Sequence, residues 1–187
     1  MYENLNAIKE DMIKTRQDLN KMPEESFNEI NTSKYIKEKL DSLGFTTEIV
    51  AKTGIVGFKK GNTDKKAIAF RADMDAIETE YGLAHACGHD GHMAILMGFA
   101  NVLSQIKDLK RDVLLIFQPA EEKYGGAEVI IKEGIFKKYN VGSILGLHIM
   151  PEIEEGKIGL NYGPIMARCG KFEVVVNAKG GHGAMPH

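Results

Sequence analysis

Val113-Leu114-Leu115-Ile116-Phe117 is an unbroken apolar run that stops at Gln118-Pro119-Ala120-Glu121-Glu122. A strand with one wet face alternates apolar and polar residues, whereas a strand covered on both faces reads as a continuous run. The run therefore predicts a central strand of a sheet with helices on both sides. The neighbouring segments agree. Upstream, Lys66-Ala67-Ile68-Ala69-Phe70-Arg71 reads as a strand that delivers Asp73 and Asp75 at its end. Between the two strands, residues 91–106 have the composition of a buried helix. Downstream, Gly125-Gly126 opens a helix to about Lys132, and Ser143-Ile144-Leu145-Gly146-Leu147 reads as a further buried strand ending at His148. Strands alternating with helices predict an α/β domain with a mostly parallel sheet flanked by helices.

The N-terminal part is compatible with this. Leu5, Ile8, Met12 and Leu19 recur at helical spacing, and Pro23 should stop that helix. A second helix is expected over residues 27–43, with Gly44 as its C′ residue. Residues 45–50 and 54–58 read as paired strands, followed by a polar turn over 59–66.

The chemistry-bearing residues fall at corresponding places. The stretch His85-Ala86-Cys87-Gly88-His89-Asp90-Gly91-His92 packs three histidines, a cysteine and an aspartate into the entry of a helix. A thiolate and an imidazole two residues apart suit a borderline-soft divalent ion such as zinc. An isolated cysteine is more often a small core residue, so this reading needs further donors. Asp73 and Asp75, Glu121 and Glu122, and His148 supply them, each following an apolar strand. Open α/β sheets bind ligands beyond the carboxyl ends of their strands. Adjacent Glu121 and Glu122 point in different directions, so one can bind an ion while the other exchanges protons with water. Asp73 and Asp75 can orient ligands or cap backbone N–H groups. His85 and His92 read as structural or supporting residues.

Composition bounds the class. The 187 residues carry a net charge of −2, with 43% hydrophobic and 27% charged side chains, which gives no basic face and makes nucleic acid a poor partner. Two cysteines, Cys87 and Cys169, argue against a disulfide framework and for a reducing compartment. No apolar run has membrane-spanning length, and the N-terminus lacks a signal-peptide pattern. The expectation is a cytoplasmic protein without membrane or nucleic-acid partners.

Arg71-Ala72-Asp73-Met74-Asp75-Ala76, the residues 85–92, Gln118-Pro119-Ala120-Glu121-Glu122 and Gly146-Leu147-His148 together resemble the M20 metallopeptidase family. The branch most similar is that of amidohydrolases acting on N-acyl amino acids, hippurate hydrolase-like and N-acetyldiaminopimelate deacetylase-like. The resemblance implies a zinc-exopeptidase-like catalytic domain over residues 1–163. It also implies the start of an inserted α+β lid and dimerisation domain over 164–187. It implies one or two divalent ions (Zn, Mn, Co or Ni) held by Cys87, His89, Glu122 and His148, with Glu121 as general acid/base toward a metal-activated water. His182, within Ala178-Lys179-Gly180-Gly181-His182-Gly183-Ala184-Met185-Pro186-His187, matches a substrate-binding histidine. The implied substrate is a small N-acyl amino acid, and the implied assembly a homodimer through the lid domain. An aminoacylase or dipeptidase of the same family, or a non-catalytic metal-binding fragment, are the alternatives. The sequence departs from the family pattern in three ways. It has Glu78 where a Pro is usual, Asn20 where a His is frequent, and a short segment between Asp75 and His85. Family members also continue well past position 187 and supply a further ligand histidine there, so the sequence reads as a fragment.

Overall fold

The computed structural model describes residues 5–166, 170 and 172–185; Cys169 and the last two residues of the 178–187 stretch lie outside them. Two compact units result, Met1–Ile149 and Met150–His187.

The first unit is built on a five-stranded sheet of order β1-β2-β6-β3-β7. Its strands are β1 (Thr46–Val50), β2 (Gly54–Lys59), β3 (Ala67–Asp73), β6 (Val113–Gln118) and β7 (Val141–Gly146). A separate hairpin comprises β4 (Ile77–Thr79) and β5 (Gly82–Ala84). The helices are α1 (Leu5–Asn20), α2 (Ile30–Ser42), α3 (His89–Ser104), α4 (Gly126–Lys132) and the short α5 (Ile135–Lys138). The α/β expectation is met, and the sheet is mixed. β3 runs parallel to both β6 and β7, while β2 is antiparallel to β1 and to β6. The three-residue link from β1 to β2 allows only an antiparallel return, because a parallel one needs a long crossover. The parallel half is the half that carries the site.

β6 behaves as its sequence predicts, with all six residues buried. One face of the sheet packs Leu115, Phe117 and Ala72 against Leu19, Leu40, Met93 and Met97 of α1, α2 and α3. The other face packs Leu114, Ile116 and Ala69 against Ile130 and Ile135 of α4 and α5. Burying the leucine, isoleucine, phenylalanine and methionine side chains among these contributes about 1.5–3 kcal/mol each. α1 approaches α3 closely at Gly98, where a Cβ would lie 2.3 Å from Met12 Sδ.

Two expectations need correction. The helix expected from residue 27 begins at Ile30, because Phe27 has φ +63° and the Glu24 carboxylate accepts the first free N–H groups, those of Asn31 (3.0 Å) and Thr32 (2.9 Å). β7, expected to be buried, is exposed along nearly its whole length. Among the described residues it is an edge strand paired only with β3, and apolar composition alone does not report edge position. Among the described residues of the second unit no helix or strand forms, and its order is local, as in Asn161 Nδ2 donating to Pro164 O (2.9 Å). No helix among the described residues is long and apolar enough to cross a membrane.

Candidate metal centre

The side chains named from sequence come from four places in the first unit. Asp73 closes β3, Glu121 and Glu122 follow β6, His148 follows β7, and Cys87 and His89 flank the start of α3. Gly88, at φ +85°, turns the chain into α3. The three parallel strands therefore end at one rim, and the N-terminus of α3 opens onto the same rim.

The rim gathers donors. One ligand-type atom each from Cys87, His89 and His148 lies within 4.8 Å of the others, and the same holds for His89, Glu121 and Glu122. His89 belongs to both groups and is 1% exposed. Its Nδ1 lies 2.7 Å from Asp75 O. A carbonyl only accepts, so Nδ1 carries the hydrogen, and in its neutral form the ring presents the Nε2 lone pair to the rim. His148 is wired in the same way, with Nδ1 donating to Ile149 O (2.7 Å) and Nε2 facing Cys87 Sγ at 3.5 Å.

His92 is different. Its Nε2 accepts from Ile149 N (2.9 Å), so its Nδ1 is the donor to Asp73 Oδ1 (2.6 Å). Both nitrogens are spent, which removes His92 from the ligand set and makes it the link that holds the backbone beside His148. His85 is buried with neither ring nitrogen partnered, and burial lowers its pKa and keeps it neutral. Asn20 Nδ2 donates to Asp90 Oδ2 (2.8 Å), tying the end of α1 to the start of α3.

The donor set fits a divalent cation. His89 Nε2 is buried without a hydrogen-bond partner, 3.6 Å from Asp73 Oδ2 and 3.7 Å from Glu122 Oε1. These separations are too long for hydrogen bonds. They approach the roughly 3.3 Å edge between nitrogen or oxygen ligands around a tetrahedral ion, and the Cys87–His148 separation matches the roughly 3.5 Å expected for a sulfur–nitrogen edge. Electrostatics point the same way. Burial, then the Glu122 carboxylate, pushes the Cys87 thiol up to about 11. Burial opposes charge on His89, but Asp75 and Asp73 outweigh it and raise its pKa. Glu121 is exposed as a residue, yet desolvation of its carboxyl, followed by Glu122 and Asp73, raises its pKa as well. A cluster this anionic favours a positive charge at its centre, and a cation there would reverse the effect on the thiol.

Asp75 resolves the choice between capping and orienting, because it does both. Its carboxylate accepts from the N–H groups of Glu121 (3.1 Å) and Glu122 (3.0 Å) and from Ser26 Oγ (2.6 Å), while its carbonyl fixes His89. Nothing local in the sequence singles out Ser26. Asp73 also carries a prediction. Burial would raise its pKa, but the His92 hydrogen bond, then Arg71 and His89, bring it down to about 2. A carboxyl lowered on folding stabilises above its unfolded pKa, and the effect is lost as pH falls through the folded value. In chelator, Asp73→Asn should lower stability at neutral pH by about 2 kcal/mol and flatten the acid limb between pH of about 4 and about 2. Urea titrations across that range check this, and equal slopes for both proteins would refute it.

His182 lies in the second unit, exposed, its Nδ1 accepting from Ala184 N at 3.3 Å. A cavity of about 480 Å³ includes Lys60, Asp112 and Asn140 and adjoins the opposite ends of the strands. It contains none of the clustered residues.

Comparison with known proteins follows this geometry. Residues 69–185 match the model of peptidase family M20/M25/M40. An N-acyl-L-amino acid amidohydrolase of Geobacillus stearothermophilus is 38% identical over 98% of this chain and 53% of its own length. Thermostable carboxypeptidase 2 of Saccharolobus solfataricus is 39% identical over 100% of this chain and 51% of its own length. Among solved structures, a Bacillus subtilis dinuclear metal binding peptidase of the M20 family superposes with TM-score 0.79 at 37% identity, covering 86% of this chain and 48% of that one. The chain spans about half the length of the curated relatives it matches. With the family model matched over most of the sequence and the resemblance in its motifs borne out, the chain belongs to peptidase family M20/M25/M40.

Proposed function

We propose that this protein is part of a metal-dependent amidohydrolase that cleaves N-acyl amino acids to a carboxylate and a free amino acid. The observation that carries the reading is the convergence of Cys87, His89 and His148 on one point, with Glu121 and Glu122 against the same His89. Cys87, His89, Glu122 and His148 would hold one or two divalent ions, with zinc, manganese, cobalt and nickel all suited to a mixed sulfur, nitrogen and oxygen donor set. A bound ion supplies Lewis-acid activation of water and of the scissile carbonyl. Glu121 takes the proton from the attacking water and delivers it to the amine nitrogen as the C–N bond breaks. Its raised pKa suits both halves of that transfer. Asp75 holds the Glu121 and Glu122 backbone in register with His89.

His182 binds substrate and stabilises the developing oxyanion. Residues 1–163 belong to the catalytic domain, and 164–187 begin a lid domain through which the full-length protein forms a homodimer. The cysteine content supports a cytoplasmic setting. A second reading, hydrolysis of peptides, is favoured by the likeness to a thermostable carboxypeptidase.

The test pairs metal analysis of the full-length protein with a panel of N-acetyl and N-benzoyl amino acids and dipeptides. Expected are bound divalent metal, amine release from the acyl amino acids, loss of activity in chelator and recovery with one of the four ions. Preferential cleavage of dipeptides would favour the second reading, and a metal-free, inert protein would refute both.

A further inference from the structure

Glu29 is a fully buried carboxylate that no part of the mechanism above uses. It sits at the N-terminus of α2, and its Oε2 accepts from the Thr53 hydroxyl in the β1–β2 turn. Its Oε1 accepts from Ala120 N at 2.9 Å, across a separation of 91 residues. Ala120 is fully buried and has φ +52°, a left-handed conformation costing a residue with a Cβ about 1–2 kcal/mol. It directly precedes Glu121. Its carbonyl accepts from Gly126 N (2.9 Å), and a Cβ on Gly126 would lie 1.8 Å from Pro119 O. The loop is thus closed tightly upon itself.

Three successive N–H groups, those of residues 120, 121 and 122, end on buried carboxylate oxygens. Asp75 takes two and Glu29 takes the first. From this geometry we infer that Glu29 is a positioning residue, whose carboxylate clamps Ala120 in its left-handed conformation and so aims Glu121 and Glu122 at the rim. The inference rests on the roles proposed above for those two glutamates, but the clamp itself is a property of the chain. Without the carboxylate, the Ala120 N–H is buried without a partner and the backbone relaxes toward an unstrained conformation.

The experiment compares wild type, E29A, E29Q, A120G and E29A/A120G in the full-length protein. Hydrogen exchange of the 119–123 amides and calorimetric titration with Mn²⁺ or Zn²⁺ are read beside kcat and KM on N-acyl amino acids. E29A should raise exchange in 119–123 at least about tenfold while β6 stays protected, and should weaken ion affinity and lower kcat by about 10–100-fold, with KM changed little. In E29Q the amide oxygen can still accept from Ala120 N and its NH₂ can donate to Thr53, so values should return to within about threefold of wild type. E29A/A120G should recover much of the loss, because glycine adopts the left-handed conformation without strain.

An E29A protein of lower melting temperature with unchanged loop exchange and ion affinity would make Glu29 merely structural and overturn the inference. A double variant no better than E29A would do the same. Should E29A fail to fold, E29D keeps the charge but withdraws it by one methylene, and wild-type exchange in E29D would count against the clamp. Exchange and ion binding need no substrate. A wild type inert on every acyl amino acid would sink the proposed function, yet leave the clamp to be judged on those two readouts.

Discussion

Replacing Glu121 with glutamine is expected to cut turnover of an N-acyl amino acid by about 10²–10⁴-fold, the range a positioned general acid/base contributes. Glutamine keeps the volume of the side chain and the backbone N–H bonded to Asp75 Oδ1 (3.1 Å), so the loop should stay in place. What it removes is a carboxyl group whose pKa burial, then Glu122 and Asp73, raise. The divalent ion should remain, because the donors from Cys87, His89 and His148 are untouched. The measurement is kcat beside metal stoichiometry on the same preparation. Turnover within a few-fold of wild type would remove Glu121 from the proton transfer. Loss of the ion together with activity would instead make Glu121 a ligand and shift the proton-transfer role toward Glu122.

The neighbourhood of these residues shows what a sequence exposes and what it hides. The strand ending at Gln118 was legible because double-sided burial leaves a one-dimensional trace, an unbroken apolar run. The gathering of these side chains was legible because strand ends in a parallel array share a rim, so residues far apart in sequence acquire a common address from topology alone. The support behind them was not. Ser26 reaches Asp75 across 49 residues and Glu29 reaches Ala120 across 91, and no periodicity encodes such pairings. Ser26 lies in a stretch after α1 that reads only as a helix break at Pro23, and Glu29 reads as an ordinary residue of the helix expected over 27–43.

The left-handed conformation of Ala120 was hidden for another reason. It contradicts the local preference of alanine and exists because tertiary contacts impose it. β7 shows the converse error. Its residues have the composition of an interior strand, but Ile144 and Leu145 are about half exposed, at 49% and 50%. Composition records what a strand can bury, and its place in the sheet order decides what it does bury. The β4–β5 hairpin was not foreseen, since two strands of three residues leave too short a pattern to read.

His89→Gln is the substitution expected to do most damage to the centre as a whole. His89 is the shared member of the Cys87–His148 and Glu121–Glu122 groups. Its Nε2 is buried without a hydrogen-bond partner, and Asp75 O locks its tautomer through Nδ1. Glutamine approximates its volume and can still donate to Asp75 O, so the fold should hold, but it offers no imidazole lone pair. Ligands of a metal centre act together, so losing this one should lower ion affinity well beyond the 10–100-fold typical of an outer-shell change and abolish hydrolysis.

Thermal unfolding gives a readout independent of catalysis. An ion that binds only the folded chain stabilises it by about 2.7 kcal/mol at one hundred times its dissociation constant. Wild type should therefore show a melting temperature that climbs with added Zn²⁺ or Mn²⁺, and His89→Gln should show almost none of that climb at the same concentrations. In chelator the two proteins should melt close together. A variant that kept the ion-dependent climb would mean that the cation is held elsewhere, and the rim at the ends of β3, β6 and β7 would lose its claim to be the metal centre.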